Sequence, residues 1–267
     1  MVKKRLPRLL SVAAVPIVAI GLFSTLGNMF RTAIEYGRTP EPIVTATPEP
    51  VFKLEQKVFG HSRMGRPIEG YEIGKGEDVI FLHASIHGNE MGTTDLLVEL
   101  IDEIRASNSL VADSKRLIIV PIANPDGYYD RIDKLNGNGV NLNLNFPTDD
   151  WELYGRQGTF AGPQPFSEVE SLVIKKIVED YKPNLMVAYH AKGALVSPEA
   201  NDESIALAKW YAQKTGYEYF DEWEYWGTAT RWFMETTGRA AITVELSEYL
   251  QSDWNINKKA LLELIGQ

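Results

Sequence analysis

The chain has no cysteine and only four histidines in 267 residues. Disulfides and thiolate chemistry are thereby excluded, and any metal site must be assembled from imidazole and carboxylate ligands. An excess of positive charge is missing as well: Lys and Arg total 27 against 36 Asp and Glu, a net charge of −9. Four of those cations (Lys3, Lys4, Arg5, Arg8) lie in the first eight residues, which leaves 23 against 36, or −13, for everything after them. A body that acidic repels phosphate backbones, which argues against nucleic-acid binding. Internal repeats are absent too. What is present in quantity is apolar material: 44% hydrophobic residues are enough for a sizeable core, in one large domain or two small ones.

Directly after the basic cluster, residues 9–23 (LLSVAAVPIVAIGLF) carry no charge, and the uncharged run continues to Phe30 before Arg31. A stretch of about 20 uncharged residues is long enough to span a bilayer, and no convincing A-x-A-type cleavage site accompanies it. Residues 1–30 therefore read as a signal anchor, or as a signal peptide if they are cleaved. The basic flank is expected to stay in the cytoplasm. That places the rest outside, either as a single-pass protein of the cell membrane or secreted. Residues 31–50, with TPEPIVTATPEP at 39–50, form a Pro/Thr-rich linker too extended to build a core. The folded domain is expected over 51–267.

Within it, apolar strands alternate with helical patterns. Strands are expected at 51–59, 68–73, 78–84, 116–122, 185–189 and 241–246, and helices at 93–105, 202–215, 229–237 and 257–264. The segment 60–67 reads as turn-rich, Asn124-Pro125-Asp126-Gly127 as a turn, and 130–150 as a long polar loop. Ser167 with Glu170 has the spacing of a capping box opening a helix to about Tyr181. Such alternation implies an α/β fold with a mostly parallel sheet covered by helices on both faces.

In sheets of this kind ligands bind beyond the carboxyl ends of the strands. His87 and Glu90 follow the 78–84 strand, His190 follows 185–189, and Glu245 stands near the end of 241–246 (AITVEL). His87, Glu90 and His190 make a ligand set for one Zn²⁺ with an open position. Glu245 is then the unligated carboxylate that can take a proton from an activated water and hand it to a leaving nitrogen. His83, four residues before His87, is the rival ligand and is read as structural; His61 is read as a surface residue.

Several motifs carry a resemblance. Phe59-Gly60-His61-Ser62 with Gly65-Arg66-Pro67-Ile68, His87-Gly88-Asn89-Glu90, Asn124-Pro125-Asp126-Gly127, the run GVNLNLNFP at 139–147, Gly162-Pro163 with Pro165-Phe166-Ser167-Glu168, Tyr189-His190 and Thr243-Val244-Glu245 resemble the zinc carboxypeptidase family in order and spacing, from about residue 51 to the C-terminus. The resemblance implies a zinc metallopeptidase with an eight-stranded mixed sheet between helices. His87, Glu90 and His190 match the family's metal ligands, and Glu245 its general acid/base. His190-Ala191-Lys192-Gly193 and the run 227–245 are more similar to bacterial members that cut cell-wall peptides at γ-D-glutamyl to diamino-acid bonds than to digestive carboxypeptidases.

The departures from the family pattern matter to function. Its carboxylate-gripping Asn-Arg pair reads Asn143-Leu144 here, and leucine cannot form a bidentate salt bridge. Lys134 or Lys192 would have to supply that charge, or the enzyme cuts internally. Lys134 also stands where the family has its oxyanion-stabilising Arg, with Arg131 as competitor. Asn141 replaces an Asp that hydrogen-bonds the first zinc histidine, an exchange expected to weaken metal affinity without abolishing it. Tyr225 lies about where the family's mobile tyrosine falls, although Trp223 and Tyr219 confuse the register and a packing role competes. The substrate expected is a peptide or muropeptide. The alternatives are a deacylase of N-acyl amino acids and a catalytically idle peptide-binding homologue.

Overall fold

The computed structural model describes residues 54–266 apart from 131–133, 156–157 and 224. The apolar segment 1–30, the linker 31–50 and Arg131 lie outside the described residues.

The third strand shows why the sheet forms. In β3 (Asp78–His83) every residue after Asp78 is buried, as expected of a central strand covered on both faces. Successive side chains go to opposite sides. Ile80 and Leu82 join a core beneath α1 (Met91–Ala106), α4 (Asp202–Thr215) and α6 (Trp254–Gly266), while Val79 and Phe81 join a second core beneath α3 (Val169–Tyr181) and α5 (Ala229–Thr237). The same alternation runs through β4 (Lys115–Val120), β5 (Leu185–Ala191) and β8 (Ala240–Leu246).

With β1 (Glu55–His61), β2 (Pro67–Gly74), β6 (Leu195–Pro198) and β7 (Glu218–Tyr219), the described residues form one eight-stranded sheet in the order β1-β2-β4-β3-β5-β8-β6-β7. The central run β4-β3-β5-β8 is parallel, as is β6-β7; the β1-β2, β2-β4 and β6-β8 pairings are antiparallel. The expected mixed sheet between helices is therefore present. No described helix is long and apolar enough to cross a membrane.

Several local expectations are corrected. Asn124 to Gly127 is the start of a six-residue helix, α2 (Pro125–Asp130), because the Asn124 side chain accepts from the Gly127 N–H and its carbonyl from the Tyr128 N–H. Ser167 and Glu170 form no capping box. The cap position is Glu168, Ser167 Oγ donates to the Glu168 carboxylate, and Glu170 accepts instead from the Arg63 N–H and from Asn136. His61 ends β1 rather than lying in a turn, but it is exposed as expected.

The register places the chemistry. His83, His190 and Glu245 share the strand face that carries Phe81, Met186 and Ala241, and His190 pairs directly with Glu245 across the parallel β5-β8 ladder. Strands in register stand about 4.8 Å apart, so these two side chains are neighbours by construction.

Candidate metal centre and active site

The loop between β3 and α1 is locked before any ligand is considered. The Ser85 N–H donates to Thr93 Oγ1 at 3.1 Å, Ser85 Oγ and Thr94 Oγ1 meet at 2.8 Å, Thr93 Oγ1 donates to the Glu90 carbonyl at 2.6 Å, and Asn124 Nδ2 donates to the Ile86 carbonyl at 3.2 Å. Glu90 is the N-cap residue of α1, yet its side chain makes no cap bond. It bridges two histidines instead: Oε1 is 2.7 Å from His87 Nδ1 and Oε2 is 3.1 Å from His190 Nδ1. One ligand atom from each of the three lies within 4.8 Å of the others, and no other such group of three occurs among the described residues.

The donor set fits zinc. Two imidazole nitrogens and one carboxylate, facing a cavity, constitute the three-ligand pattern of a catalytic site. The charge distribution agrees. Burial pushes the Glu90 carboxyl up, but the imidazoles of His87 and His190 outweigh it and hold it at about 2. Burial depresses His190, and the carboxylates of Glu90 and Glu245 more than compensate, raising it. His87 Nε2 stands 3.0 Å from Asn141 Oδ1; with the ring donating there, Nδ1, which faces the Glu90 carboxylate, is left as the nitrogen able to ligate. The expectation that Asn141 supports the first histidine through its carbonyl oxygen matches this contact.

Glu245 is the second component. Its Oε2 is buried and meets no hydrogen-bond partner in the protein, a costly state unless the group has a ligand to serve. Burial raises its carboxyl to about 7; His190 opposes that rise and Glu90 adds to it. A carboxyl poised there exchanges protons readily near neutral pH.

Triad and Glu245 open on a cavity of about 840 Å³ that is also lined by Lys134, Asn143, Leu144, Lys192 and Tyr225. The expected substrate-side residues are thus brought together, Arg131 excepted, which lies outside the described residues. Asn143 Nδ2 sits 3.4 Å from His190 Nε2, and its Oδ1 accepts from the Ala229 N–H at the start of α5. Lys192 is half exposed on the rim, 3.5 Å from Glu248. Tyr225 is 43% exposed, lines the cavity and packs edge-on against Trp223, so the cavity position and the packing contact coexist. His83 is fully buried, contacts Phe81 and belongs to no ligand group, so the rival ligand is set aside.

Three cavity residues were not legible in the sequence: Glu199 after β6, and Arg231 and Glu235 on α5. The pattern of residues 229–237 predicts a helix, but nothing in it indicates that Arg231 turns toward a cavity rather than to solvent.

The zinc carboxypeptidase family matches residues 52–261. The chain belongs to that family. Among curated relatives, the γ-D-glutamyl-L-diamino acid endopeptidase 1 of Lysinibacillus sphaericus is 23% identical over 266 residues, covering 82% of this chain and 64% of the relative. Murein peptide amidase A of Escherichia coli K12 is 27% identical over 168 residues, covering 58% of this chain and 65% of the relative. The chain thus spans somewhat under two thirds of the length of these relatives. The solved murein-tripeptide amidase of Escherichia coli O157 superposes with a TM-score of 0.65 at 22% identity, over 81% of this chain and 93% of that one. The carboxypeptidase A of Helicoverpa armigera gives 0.64 at 21%, over 80% and 66%. Family membership points to zinc as the metal that the His87, Glu90 and His190 cluster could hold.

Proposed function

We propose that this zinc carboxypeptidase-family protein hydrolyses a peptide-type amide in cell-wall peptides, with His87, Glu90 and His190 as metal ligands and Glu245 as general acid/base. The observation that carries the reading is the Glu245 carboxylate, paired across the ladder with a metal ligand and left without a protein partner at Oε2. When bound, zinc supplies Lewis acidity toward the scissile carbonyl and makes water a stronger acid. Glu245 Oε2 takes the proton of the attacking water and returns it to the departing nitrogen, which keeps the leaving group neutral. Lys134, on the cavity wall, supplies positive charge for the oxygen on which charge develops. With Leu144 in place of a guanidinium, that position offers no bidentate grip on a terminal carboxylate, which favours cutting within a peptide over strict removal of C-terminal residues. Relatives named for muropeptide and γ-D-glutamyl-diamino acid substrates support the choice of cell-wall peptide. The basic-then-apolar N-terminus supports a location outside the cytoplasm, tethered to the membrane or secreted.

The test is the full chain loaded with zinc, beside Glu245→Gln, incubated with muropeptides, plain C-terminal peptides and N-acyl amino acids. Glu245→Gln should retain one zinc per chain and lose about 10²–10⁴-fold in hydrolysis, the share a positioned acid/base contributes. Cleavage confined to N-acyl amino acids makes the protein a deacylase. A zinc-loaded wild type that cleaves nothing on the panel overturns the hydrolase reading.

A further inference from the structure

A helix starts with backbone N–H groups that have no partner inside it, and α1 starts on a residue whose side chain is spent elsewhere. Glu90 holds the cap position, yet its carboxylate faces His87 and His190 and makes no bond to the helix. A neighbouring segment takes over part of that duty. The Gly92 N–H, in the first turn of α1, donates to the Tyr249 carbonyl at 2.7 Å, and Tyr249 belongs to the loop 247–253 between β8 and α6. Loop and helix touch backbone to backbone: a Cβ on Gly92 would lie 2.3 Å from the Gln251 carbonyl oxygen. Ser252 Oγ adds a bond to the Glu99 carboxylate farther along α1 at 2.6 Å. Asp253 closes the loop. At φ 49° it sits in the left-handed region that Asp tolerates better than most residues, and its carboxylate turns back on Ser247. Oδ2 accepts from the Ser247 N–H at 2.7 Å and from the Tyr217 hydroxyl, and Oδ1 accepts from Ser247 Oγ at 2.9 Å. Ser247 is the second residue after Glu245. Tyr217 continues the network through Asn257 and Tyr211 to Tyr189, which precedes His190.

We infer that the loop 247–253 is a surrogate cap for α1, and that Asp253 is a positioning residue which, by closing this loop, leaves the Glu90 carboxylate to the metal. The inference rests on Glu90 as a metal ligand and does not depend on which bond the protein cuts. Its physical basis is competition for one carboxylate. If the loop slackens, the Gly92 N–H loses its acceptor, and the Glu90 side chain, drawn to the positive end of the helix, is the group placed to replace it. A carboxylate engaged there is withdrawn from His87 and His190. An asparagine at position 253 can hold the loop without the charge: its Oδ1 accepts from the Ser247 N–H and the Tyr217 hydroxyl, its Nδ2 donates to Ser247 Oγ, and it tolerates the same backbone conformation. A glycine keeps the conformation and removes all three bonds.

The experiment compares the full chain with Asp253→Gly, Asp253→Asn and Glu90→Ala through two readouts. Chelator competition gives zinc affinity, and amide hydrogen exchange on the metal-free proteins gives protection at Gly92, with Leu82 in β3 as the reference for global opening. Asp253→Gly should bind zinc roughly 10–100-fold more weakly, the loss usual when a ligand's supporting contacts are removed, and Asp253→Asn should stay within about threefold of wild type. In Asp253→Gly the Gly92 amide should exchange about tenfold faster relative to Leu82. A merely structural role raises exchange at both amides together and leaves the zinc affinity of the folded protein unchanged; that result overturns the inference. So does an Asp253→Gly protein that loses Gly92 protection yet keeps wild-type affinity. Should Asp253→Gly fail to fold, Ser247→Ala, which removes one of the three bonds, carries the test: about threefold weaker zinc binding with faster Gly92 exchange is expected, and wild-type values in both overturn the surrogate cap. Glu90→Ala separates the two readings. Wild-type zinc affinity in that variant overturns the ligand assignment and this inference with it, whereas affinity lost there and kept in Asp253→Gly overturns the surrogate cap alone.

Discussion

His83 faces Ala188 across the β3-β5 ladder, two residues below the level of His190, and replacing it with leucine tests both its exclusion from the ligand set and its effect on folding. The ring is fully buried and neither nitrogen finds a partner in the protein. Burial, with His190 as a lesser cause, lowers its pKa from 6.5 to about 3. The folded pKa lies below the unfolded one, so in the window between them the unfolded chain binds a proton that the folded chain refuses. Stability therefore falls as pH drops below 6.5 and goes on falling to about 3. At pH 4.5 the wild type should have lost about 2.7 kcal/mol through this one group, at 1.36 kcal/mol per pH unit. His83→Leu has no such group. The assay is urea unfolding of metal-free wild type and variant at pH 7 and pH 4.5, with zinc content measured separately at pH 7. The drop between the two pH values should be smaller in the variant by about 2–3 kcal/mol. Contributions of His87, His190 and the carboxylates occur in both proteins and cancel, as does any packing cost of leucine that does not depend on pH. Identical pH dependence in the two proteins would show that His83 is not held neutral by the fold. Loss of zinc from the variant would make it a ligand after all.

Three further outcomes follow from contacts in the structure. Asn141→Asp places a carboxylate where the amide oxygen now meets His87 Nε2 at 3.0 Å, so zinc affinity in chelator competition should rise by roughly tenfold or more; unchanged affinity refutes the support role. Gly88→Ala puts a methyl group 2.2–2.5 Å from the Gly127 backbone at the start of α2, which cannot yield as a side chain would. It should destabilise by about 1–3 kcal/mol and weaken zinc binding through the shifted His87, and a variant with unaltered melting temperature and zinc content contradicts this. Burial raises the Glu72 carboxyl, but Lys57 and Arg116, the latter donating from Nε at 2.9 Å, outweigh it and hold it below 4.5. Its contribution is present above the unfolded pKa and is lost as pH falls through the folded one, so Glu72→Gln should cost stability at pH 7 and progressively less below pH 4.5, whereas a gap constant with pH denies the linkage.

How much of this was legible in the sequence depends on which residues decide each feature. β3, β4, β5 and β8 announce themselves because both of their faces are buried, and a continuous apolar run such as Val79 to Leu82 has few alternatives to a central strand. β6 and β7, of four and two residues, are too short to show a period, and Pro198 ends the longer one; they exist because β8 and α4 offer them a surface. The Ser167 and Glu170 spacing misled for a related reason: a capping box is a local preference worth about 1 kcal/mol, and Glu170 instead answers the Arg63 N–H from a distant turn. The metal ligands were readable because strand ends fix them: His87 and Glu90 follow one apolar run and His190 ends another, so topology alone delivers them to one edge. Glu199, Arg231 and Glu235 obey no such rule. Their meeting depends on where α5 crosses β8, which no period in residues 229–237 encodes. The reacting centre of such a sheet is therefore written in sequence positions, whereas its choice of substrate is written in contacts between elements far apart in the chain.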